Sequence, residues 1–323
     1  MIFSKKVEAL YSKTLFSRHD EDGSIFYFSH SDFEGLNMTP YSFRNQLGDK
    51  LSGGLYYCDG YDPSRLIVFD HGMGTGHKAY MREIEALARH GYRVLAYDHT
   101  GCTHSEGKGV RGLSGSLADL DACISAVLED ESLKNLTLSV VGHSWGAFST
   151  MNITAFHKEI ESVVAISGFI SISQMLKFIL PGALGLWRGT ARELERRANP
   201  DCADISAIDT LRASSTRALI IHSSDDKTCS AKLNFMKLRD ALEDAPNVEF
   251  LLVHGKGHNP NYTAEAVAYK DKFFADLKAR RKRGELSTDE QKKSFVASYD
   301  WHKMTEQDDN LWQKIFDHLD NKS

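Results

Sequence analysis

A serine flanked by glycines directly follows one of the apolar segments of this chain. Residues 136–141 are rich in apolar and β-branched side chains, and Gly-His-Ser-Trp-Gly follows at residues 142–146. A segment of helical composition comes next. The pattern Gly-x-Ser-x-Gly between a strand and a helix predicts a tight, strained turn that presents a serine hydroxyl above the end of a sheet. We therefore favour Ser144 as a nucleophile over a purely structural glycine turn.

A serine nucleophile requires two partners, and the chain supplies candidates for both. A base must accept the hydroxyl proton, and a carboxylate must orient that base. When the serine lies in such a strand-to-helix turn, the acid and then the histidine follow it along the chain, each in a loop after a strand. One later apolar segment leads to Asp225 and Asp226, and the last one leads to His254 and His258.

Two aspartates and two histidines thus compete for these roles, and we favour Asp226 and His258. Asp226 stands farther beyond its strand, in the loop that must reach the histidine, whereas Asp225 could cap the next helix. The Gly-Lys-Gly between His254 and His258 predicts a flexible loop that can carry the second imidazole toward Ser144. His254 would then end the strand. Asp225 and His254 remain the alternatives.

A serine that attacks a carbonyl also needs N–H donors for the oxyanion that forms. In this strand-to-helix arrangement one donor is the residue after the nucleophile, Trp145, and the other comes from the turn after an earlier strand. Residues 70–76, Asp-His-Gly-Met-Gly-Thr-Gly, follow an apolar segment and make Met73 the best-placed donor. A glycine-rich loop could instead hold a phosphate, but this one has neither a dinucleotide fingerprint nor a P-loop pattern.

Short apolar segments alternate with segments of helical length along most of the chain. The apolar ones lack polar–apolar alternation, as do strands buried on both faces of a parallel sheet. They are residues 65–70, 92–97, 136–141, 162–166, 218–221 and 248–253. The segments of helical spacing are residues 80–90, 117–129, 146–157, 231–242 and 264–281. This alternation predicts a doubly wound α/β sheet.

Other regions depart from the alternation. Residues 24–29 and 54–58 are predicted to form antiparallel strands beside the parallel ones. Residues 168–213 are longer than an ordinary connection, and we interpret them as two or three inserted helices of functional importance. Beyond them, the polar and acidic residues 284–323 carry scattered aromatic side chains and predict a helical extension packed on a domain of residues 1–283.

The composition excludes several classes of function. The chain has 41% hydrophobic and 26% charged residues, as globular proteins do. Its net charge of −5 offers no general attraction for nucleic acid, and we interpret the basic residues 278–283 as a solvated helix end. The five cysteines are scattered without a C-x-x-C pair, which argues against a disulfide framework or a zinc site. We expect no metal and no organic cofactor.

No segment of the sequence is expected to target or cross a membrane. The charged residues near the start are not followed by the apolar stretch of a secretory signal. The longest apolar stretch, around residues 178–187, is short and interrupted by Pro181 and two glycines. We therefore expect a soluble, cytoplasmic protein with no integral membrane segment. Its oligomeric state does not follow from the sequence.

Together these motifs resemble the α/β-hydrolase superfamily, and within it the monoacylglycerol-lipase and serine-aminopeptidase-like branch. The matching stretches cover about residues 50–280 in the family order, and several motifs in order are more specific than any one. They are His71-Gly72-Met73-Gly74 with Tyr80, residues 91–98 with Gly101, residues 105–107, residues 142–146, the loop at Asp226, and Gly257-His258.

This resemblance implies a fold and a role for each candidate residue. The fold would be an α/β-hydrolase fold, a mostly parallel doubly wound sheet with a helical cap insertion at about residues 168–213 and a C-terminal helical extension. The site would consist of Ser144 as nucleophile, Asp226 as acid, His258 as base, and the amides of Met73 and Trp145 as oxyanion hole. Two features depart from the family: Ser223 stands where glycine is usual before the acid, and residues 284–323 have no counterpart.

The function that follows is cleavage of a carboxylic ester of a small molecule through an acyl-enzyme. Apolar side chains of the insertion could line a pocket for an apolar acyl chain, or could simply pack the insertion on the core. A peptidase, a thioesterase or an acyltransferase would use the same residues, because a triad does not specify its leaving group. A different class of function is a non-catalytic binding module, with residues 284–323 as its partner surface.

Overall fold

The strands of the chain join into one sheet. The computed structural model describes residues 2–74 and 76–322. Met1, Thr75 of the glycine-rich loop and Ser323 lie outside the described residues. Over the described part the sheet has eight strands: β1 (Asn37–Arg44), β2 (Lys50–Tyr57), β3 (Arg65–Asp70), β4 (Arg93–Tyr97), β5 (Thr137–His143), β6 (Ser162–Ile166), β7 (Arg217–Ser223) and β8 (Val248–Val253).

The order of these strands places the loops after β3 and β5 next to each other, at the carboxyl ends of the central strands. The order is β1-β2-β4-β3-β5-β6-β7-β8, with β2 antiparallel to both of its neighbours and the remaining pairs parallel. The chain therefore leaves β3 toward one side of the sheet and later continues from β5 toward the other. Ligands bind beyond the carboxyl ends of the strands at such a switch point.

Helices accompany the strands along the chain. Those of the described residues are α1 (Ile2–Leu15), α2 (Met81–Arg89), α3 (Gly115–Glu129), α4 (Trp145–Asn152), α5 (Ile172–Ile179), α6 (Arg188–Ala198), α7 (Ala207–Ala213), α8 (Phe235–Ala241), α9 (Ala264–Arg283), α10 (Asp289–Ala297), α11 (Trp301–Met304) and α12 (Asp309–Leu319). None of the helices described is both long and apolar enough to cross a membrane.

The parallel strands are apolar throughout because helices cover both of their faces. In β3, Leu66 and Val68 join the core that contains α3 and α4, whereas Ile67 and Phe69 join the core that contains α2 and α12. All four side chains are buried. This layering confirms the predicted doubly wound α/β class. The predicted parallel strands are present, with small shifts at their ends.

One strand prediction was wrong. Residues 24–29 form no strand, and the first antiparallel pair is β1 with β2, which contains most of the predicted segment 54–58. Phe26 instead packs on the ring of Trp301, and Phe28 on the ring of His302, both in α11. The alternating aromatic residues that suggested a strand are therefore covered by rings of a helix.

The long connection between β6 and β7 is helical. It contains α5, α6 and α7, together with a 3-10 helix at Gly182–Trp187. Leu184 and Leu186 of this 3-10 helix are exposed, the latter by 84%. The predicted inserted helices are present at residues 168–213, and their role as a cap stays a prediction.

The last helix of the chain lies on the sheet. The side chains of α12 that join the same core as α2 are Leu311, Trp312, Ile315 and Leu319. Arg65 of β3 forms a 2.6 Å ion pair with Asp320 just beyond α12. By contrast, α10 and α11 form a separate cluster with α9, in which Phe273, Phe295 and Met304 are buried. The division of the chain at residue 284 stays a prediction.

Candidate active site

Ser144 lies in the turn between β5 and α4. Its backbone has φ 57° and ψ −110°, a conformation that is strained for a residue with a side chain. The flanking glycines make this turn possible, because a Cβ at Gly142 would lie 2.2 Å from Thr150 Oγ1 and a Cβ at Gly146 would lie 2.0 Å from the Asp70 carbonyl oxygen. The start of α4 can thus approach the end of β3 and raise the serine above the sheet.

The loops after β7 and β8 bring Asp226 and His258 to this serine. His258 Nε2 lies 2.8 Å from Ser144 Oγ, and His258 Nδ1 lies 2.7 Å from Asp226 Oδ2. Both separations are hydrogen-bond distances. The hydroxyl can donate to the imidazole while the other ring nitrogen donates to the carboxylate. This is the geometry by which a base activates a serine and an acid orients the base.

Asp226 is buried and yet ionised. Its Oδ1 accepts hydrogen bonds from the N–H groups of Thr228 and Cys229 at 2.7 and 3.0 Å, and His222 Nε2 lies 3.2 Å from its Oδ2. Burial opposes ionisation, but the hydrogen bonds from His222 and His258 outweigh it and hold the pKa of the Asp226 carboxyl well below its usual range. At neutral pH a negative charge therefore faces His258.

The alternative aspartate and histidine make other contacts. Asp225 accepts a hydrogen bond from Ser223 Oγ at 2.5 Å and lies 3.3 Å from the N–H of Gly257. His254 is exposed, and its Nδ1 lies 2.8 Å from Ser224 Oγ. Asp225 therefore fastens the loop that precedes the candidate base, and Ser223, the departure from the family pattern, takes part in that contact.

His143 of the Gly-x-Ser-x-Gly motif binds the loop that carries His258. Its Nε2–H donates to the carbonyl oxygen of His258 at 2.8 Å, and its Nδ1 accepts from the Tyr80 hydroxyl at 2.9 Å. Burial, reinforced by the neighbouring His258, lowers the pKa of His143 well below its usual value. A neutral ring with one donor and one acceptor fits both partners. This role of His143 was not predicted, because the motif accepts any residue at its position.

Met73 and Trp145 lie in the wall of the cavity that contains Ser144. Trp145 is the first residue of α4, so its N–H has no partner within the helix. Its indole N–H donates to the carbonyl oxygen of Leu113 at 2.6 Å, which fixes the start of the helix. The two amides are thus carried by the turns after β3 and β5, which lie side by side in the sheet.

A buried charged network lies beneath the turn that carries Met73. His71 Nε2 accepts a hydrogen bond from the N–H of His99 at 3.0 Å. The ring of His99 lies 3.0 Å from Asp70 Oδ1 and 3.3 Å from Asp119 Oδ2. Burial disfavours a charge on this ring, but the two carboxylates outweigh that cost and raise the pKa of His99 to about 10. The network therefore ties the ends of β3 and β4 together below the site.

A cavity of about 460 Å³ opens above Ser144. This volume is within the range of small-molecule sites. Its wall contains the loops after the strands together with side chains of the insertion and of α9. Those of the insertion are Phe169 and Met175, and those of α9 are Val267, Lys270, Asp271 and Phe274. The arrangement can hold a small molecule with a carbonyl group against the serine.

Comparison with known proteins places this architecture in a known group. Residues 65–219 match a family model described as alpha/beta hydrolase fold. The matched stretch begins with β3, contains Ser144 and ends within β7. The chain has the α/β-hydrolase fold. The predicted fold is thereby confirmed, whereas the monoacylglycerol-lipase and serine-aminopeptidase-like branch stays a prediction.

Several known proteins are similar to the chain. Esterase YjfP of Escherichia coli (strain K12) is 25% identical over 224 residues, covering 66% of this chain and 88% of that protein. A structure of the Pyrococcus furiosus esterase Pf2001 has a TM-score of 0.60 at 19% identity and covers 83% of this chain and 98% of its own. An acetyl xylan esterase from Paenibacillus sp. R4 has a TM-score of 0.56 at 16% identity, covering 80% and 88%.

One part of the cavity was not predicted. The sequence indicated a helix at residues 264–281, and α9 of this α/β-hydrolase fold occupies that segment. Its apolar spacing gave no sign that Lys270 and Phe274 would line the same cavity as Ser144. Helical periodicity shows which side chains share a face, but it does not show what the face meets.

Proposed function

We propose that this protein is a serine hydrolase that cleaves a carboxylic ester of a small molecule. The observation that carries the proposal is the chain of hydrogen-bond distances from Ser144 through His258 to Asp226 at the edge of a cavity. The esterase names of the relatives support it, since they attach ester cleavage to the same fold. The strained backbone at Ser144 supports it further, because strain of this kind concentrates at functional sites.

In the proposed mechanism, Ser144 Oγ attacks the ester carbonyl carbon while His258 Nε2 takes the hydroxyl proton. Asp226 stabilises the resulting imidazolium. The carbonyl oxygen becomes an oxyanion, which accepts hydrogen bonds from the N–H groups of Met73 and Trp145. The imidazolium then protonates the departing alkoxide, leaving an acyl group on Ser144. A water molecule attacks this acyl-enzyme as His258 takes its proton, and the acid leaves as the proton returns to Ser144.

The cavity favours a small or medium acyl group. Its volume is about 460 Å³, and Phe169, Met175 and Phe274 contribute apolar surface to the wall. Peptide, thioester and acyl-transfer chemistry would use the same groups. A series of p-nitrophenyl esters of increasing acyl length, compared with the matching anilides and thioesters, measures both the length and the bond that the enzyme prefers.

The decisive experiment is labelling with a fluorophosphonate, followed by p-nitrophenyl ester hydrolysis. Ser144→Ala is expected to abolish labelling and to lower kcat by about 10⁴-fold or more, because it removes the nucleophile. Ser132→Ala, which changes an exposed serine, is the matched control and is expected to behave like the wild type. Full labelling or turnover by the Ser144 variant would contradict the proposal. A folded wild type that is neither labelled nor active would favour a binding module.

A further inference from the structure

A lysine ammonium lies in the wall of the cavity that contains Ser144. Lys270 projects from α9, and its Nζ donates to Asn259 Oδ1 at 2.8 Å and lies 5.0 Å from the centre of the Tyr262 ring. All of these residues belong to the cavity wall. Among the described residues of that wall, Lys270 is the sole lysine or arginine.

The charge of this ammonium is not neutralised at close range. Within residues 2–74 and 76–322, no carboxylate oxygen lies within 4.0 Å of Lys270 Nζ, and its hydrogen bond goes to a neutral amide. Glu83 and Asp271 attract it from farther away. Glu83 Oε1 accepts from the side-chain amide of Asn261 at 3.0 Å, and Asp271 is an exposed residue of the same cavity wall.

Lys270 is half-buried in the cavity wall, which makes its charge sensitive to a ligand charge. Desolvation lowers the pKa of Lys270, and it exceeds the opposing attraction of Glu83 and Asp271. The same positive charge contributes to lowering the pKa of His143, so its field reaches that residue of the cavity wall. An anion that enters the cavity would therefore recover electrostatic energy that the protein alone does not supply.

We propose that Lys270 determines specificity by binding a carboxylate of the substrate that is separate from the ester bond. The inference rests on the proposed ester hydrolysis and specifies its substrate class as esters that carry a free carboxylate. A single ammonium whose close neighbours, Asn259 and Tyr262, are neutral groups matches a singly charged carboxylate. A phosphate carries more charge and usually collects several donors or an arginine pair. Lys270 is a positioning and binding group, and Ser144 remains the nucleophile.

Matched substrates that differ in charge test this inference. The first set contains the mono-4-nitrophenyl esters of glutaric, adipic and suberic acid, each compared with the same ester whose far carboxylate is methylated. The second pair, 4-acetoxybenzoate and its methyl ester, places the carboxylate on the leaving group instead. We expect the wild type to favour the free carboxylate in one of these sets by about 10- to 100-fold in kcat/KM, since a charge-assisted hydrogen bond is gained. The set that responds identifies which side of the ester faces Lys270.

Variants of α9 separate binding from a structural role. Lys270→Met keeps the length of the side chain and is expected to lower kcat/KM for the free carboxylate much more than for its methyl ester, so that the preference is lost. Lys270→Arg keeps a positive charge and is expected to retain much of the preference for the free carboxylate that Lys270→Met loses. Lys272→Met changes an exposed lysine of the same helix and is expected to keep the wild-type ratio. A merely structural lysine would lower the rates for acid and methyl ester together, which would overturn the inference.

Binding provides a readout that does not depend on turnover. Calorimetric titration with the three dicarboxylic acids is expected to show weaker binding to Lys270→Met than to the wild type and to Lys272→Met. Equal wild-type rates for acids and methyl esters, together with equal binding by all variants, would overturn the inference while leaving ester hydrolysis in place. Failure of the proposed function is distinct, because it is measured by loss of fluorophosphonate labelling and of neutral-ester cleavage.

Discussion

The turn at Ser144 is possible because two positions beside it carry no side chain. Left-handed backbone at a residue with a Cβ costs on the order of 1–3 kcal/mol, so the surrounding structure must impose it. At Gly146 the contacts that impose it are with backbone. A Cβ there would overlap the carbonyl oxygen of Asp70, which ends the central strand β3. That carbonyl is not the flexible end of a side chain that could move away.

Gly146→Ala is therefore expected to destabilise the fold and to displace the serine. We expect the free energy of unfolding to fall by about 3 kcal/mol or more, because overpacking against a rigid backbone cannot relax. Ester turnover should fall further than the folded fraction does, since the turn that carries Ser144 shifts. Urea unfolding and turnover per folded molecule measure the two effects.

Gly189→Ala is the matched control for this substitution. Gly189 also lies in the first turn of a helix, α6, but a Cβ there meets nothing within 4 Å. Alanine is expected to stabilise the protein slightly, by roughly 0.5–1 kcal/mol, because glycine loses more backbone entropy on folding. Similar stability changes in the two variants would show that close approach of the backbone is not what Gly146 provides.

The sequence could predict the types and order of the site residues but not every choice between neighbours. The serine motif lies between a strand and a helix, so the position of Ser144 follows from local structure alone. Asp225 and Asp226 share one loop, and the direction of each side chain depends on donors from other parts of the chain, such as Gly257 for Asp225 and His258 for Asp226. Spacing favoured Asp226, but only the assembled loops bring it to the histidine.

At the scale of elements, a buried carboxylate of the insertion binds several groups of the rest of the chain. Glu195 of α6 is fully buried, and it accepts hydrogen bonds from the Tyr11 hydroxyl at 2.7 Å and from the N–H groups of Leu113 and Ser114 at 2.8 and 2.9 Å. The carbonyl of Leu113 in turn holds the indole of Trp145. The insertion is therefore connected to the start of α4 through one loop.

Glu195→Gln is expected to loosen this connection. The amide group replaces one acceptor oxygen by a donor, which leaves buried N–H groups without a partner, and we expect a loss of about 3 kcal/mol in the free energy of unfolding. Limited proteolysis within residues 180–190 should accelerate, and KM should rise as the cavity wall moves. Protease mapping and steady-state kinetics measure these effects.

Glu193→Gln is the matched control for Glu195→Gln, because Glu193 is an exposed acid of the same helix. Glu193 forms a 3.0 Å ion pair with Arg197 at the surface of α6. Glu193→Gln removes the same charge, and we expect a change of no more than about 0.5 kcal/mol, as for other exposed helix pairs. If the two variants were equally stable, Glu195 would not be the anchor of the insertion.

Element predictions succeeded where hydrophobic periodicity decides the structure and failed where distant contacts do. The parallel strands have no other way to bury continuous apolar residues, so their positions followed from the sequence. Residues 24–29 have a spacing that suits a strand, but Phe26 and Phe28 are covered by α11, which lies far along the chain. The helix predicted at residues 231–242 begins only at Phe235, after a series of turns.

At the scale of the whole molecule, the chain leaves the sheet and then returns to it. After β8 it passes through α9, which lines the cavity, and through α10 and α11, which pack on α9. It then places α12 on the face of the sheet that also carries α2. The sequence predicted a helical extension packed on the domain, but it did not predict that α12 lies on the sheet, because residues 284–323 are acidic and only one face of α12 is apolar.

Ile315→Ala tests whether α12 belongs to the main folding unit. Ile315 is fully buried in the core shared with α2, so truncation should cost about 3 kcal/mol through lost contacts and a cavity. Because that core includes the central strands, we expect one cooperative transition at lower denaturant, with the same midpoint by circular dichroism and by tryptophan fluorescence. Lys314→Ala, at an exposed position of the same helix, should leave the midpoint unchanged. A separate early transition in the Ile315 variant would instead show that the tail unfolds independently and that α9 alone holds the outer wall of the cavity.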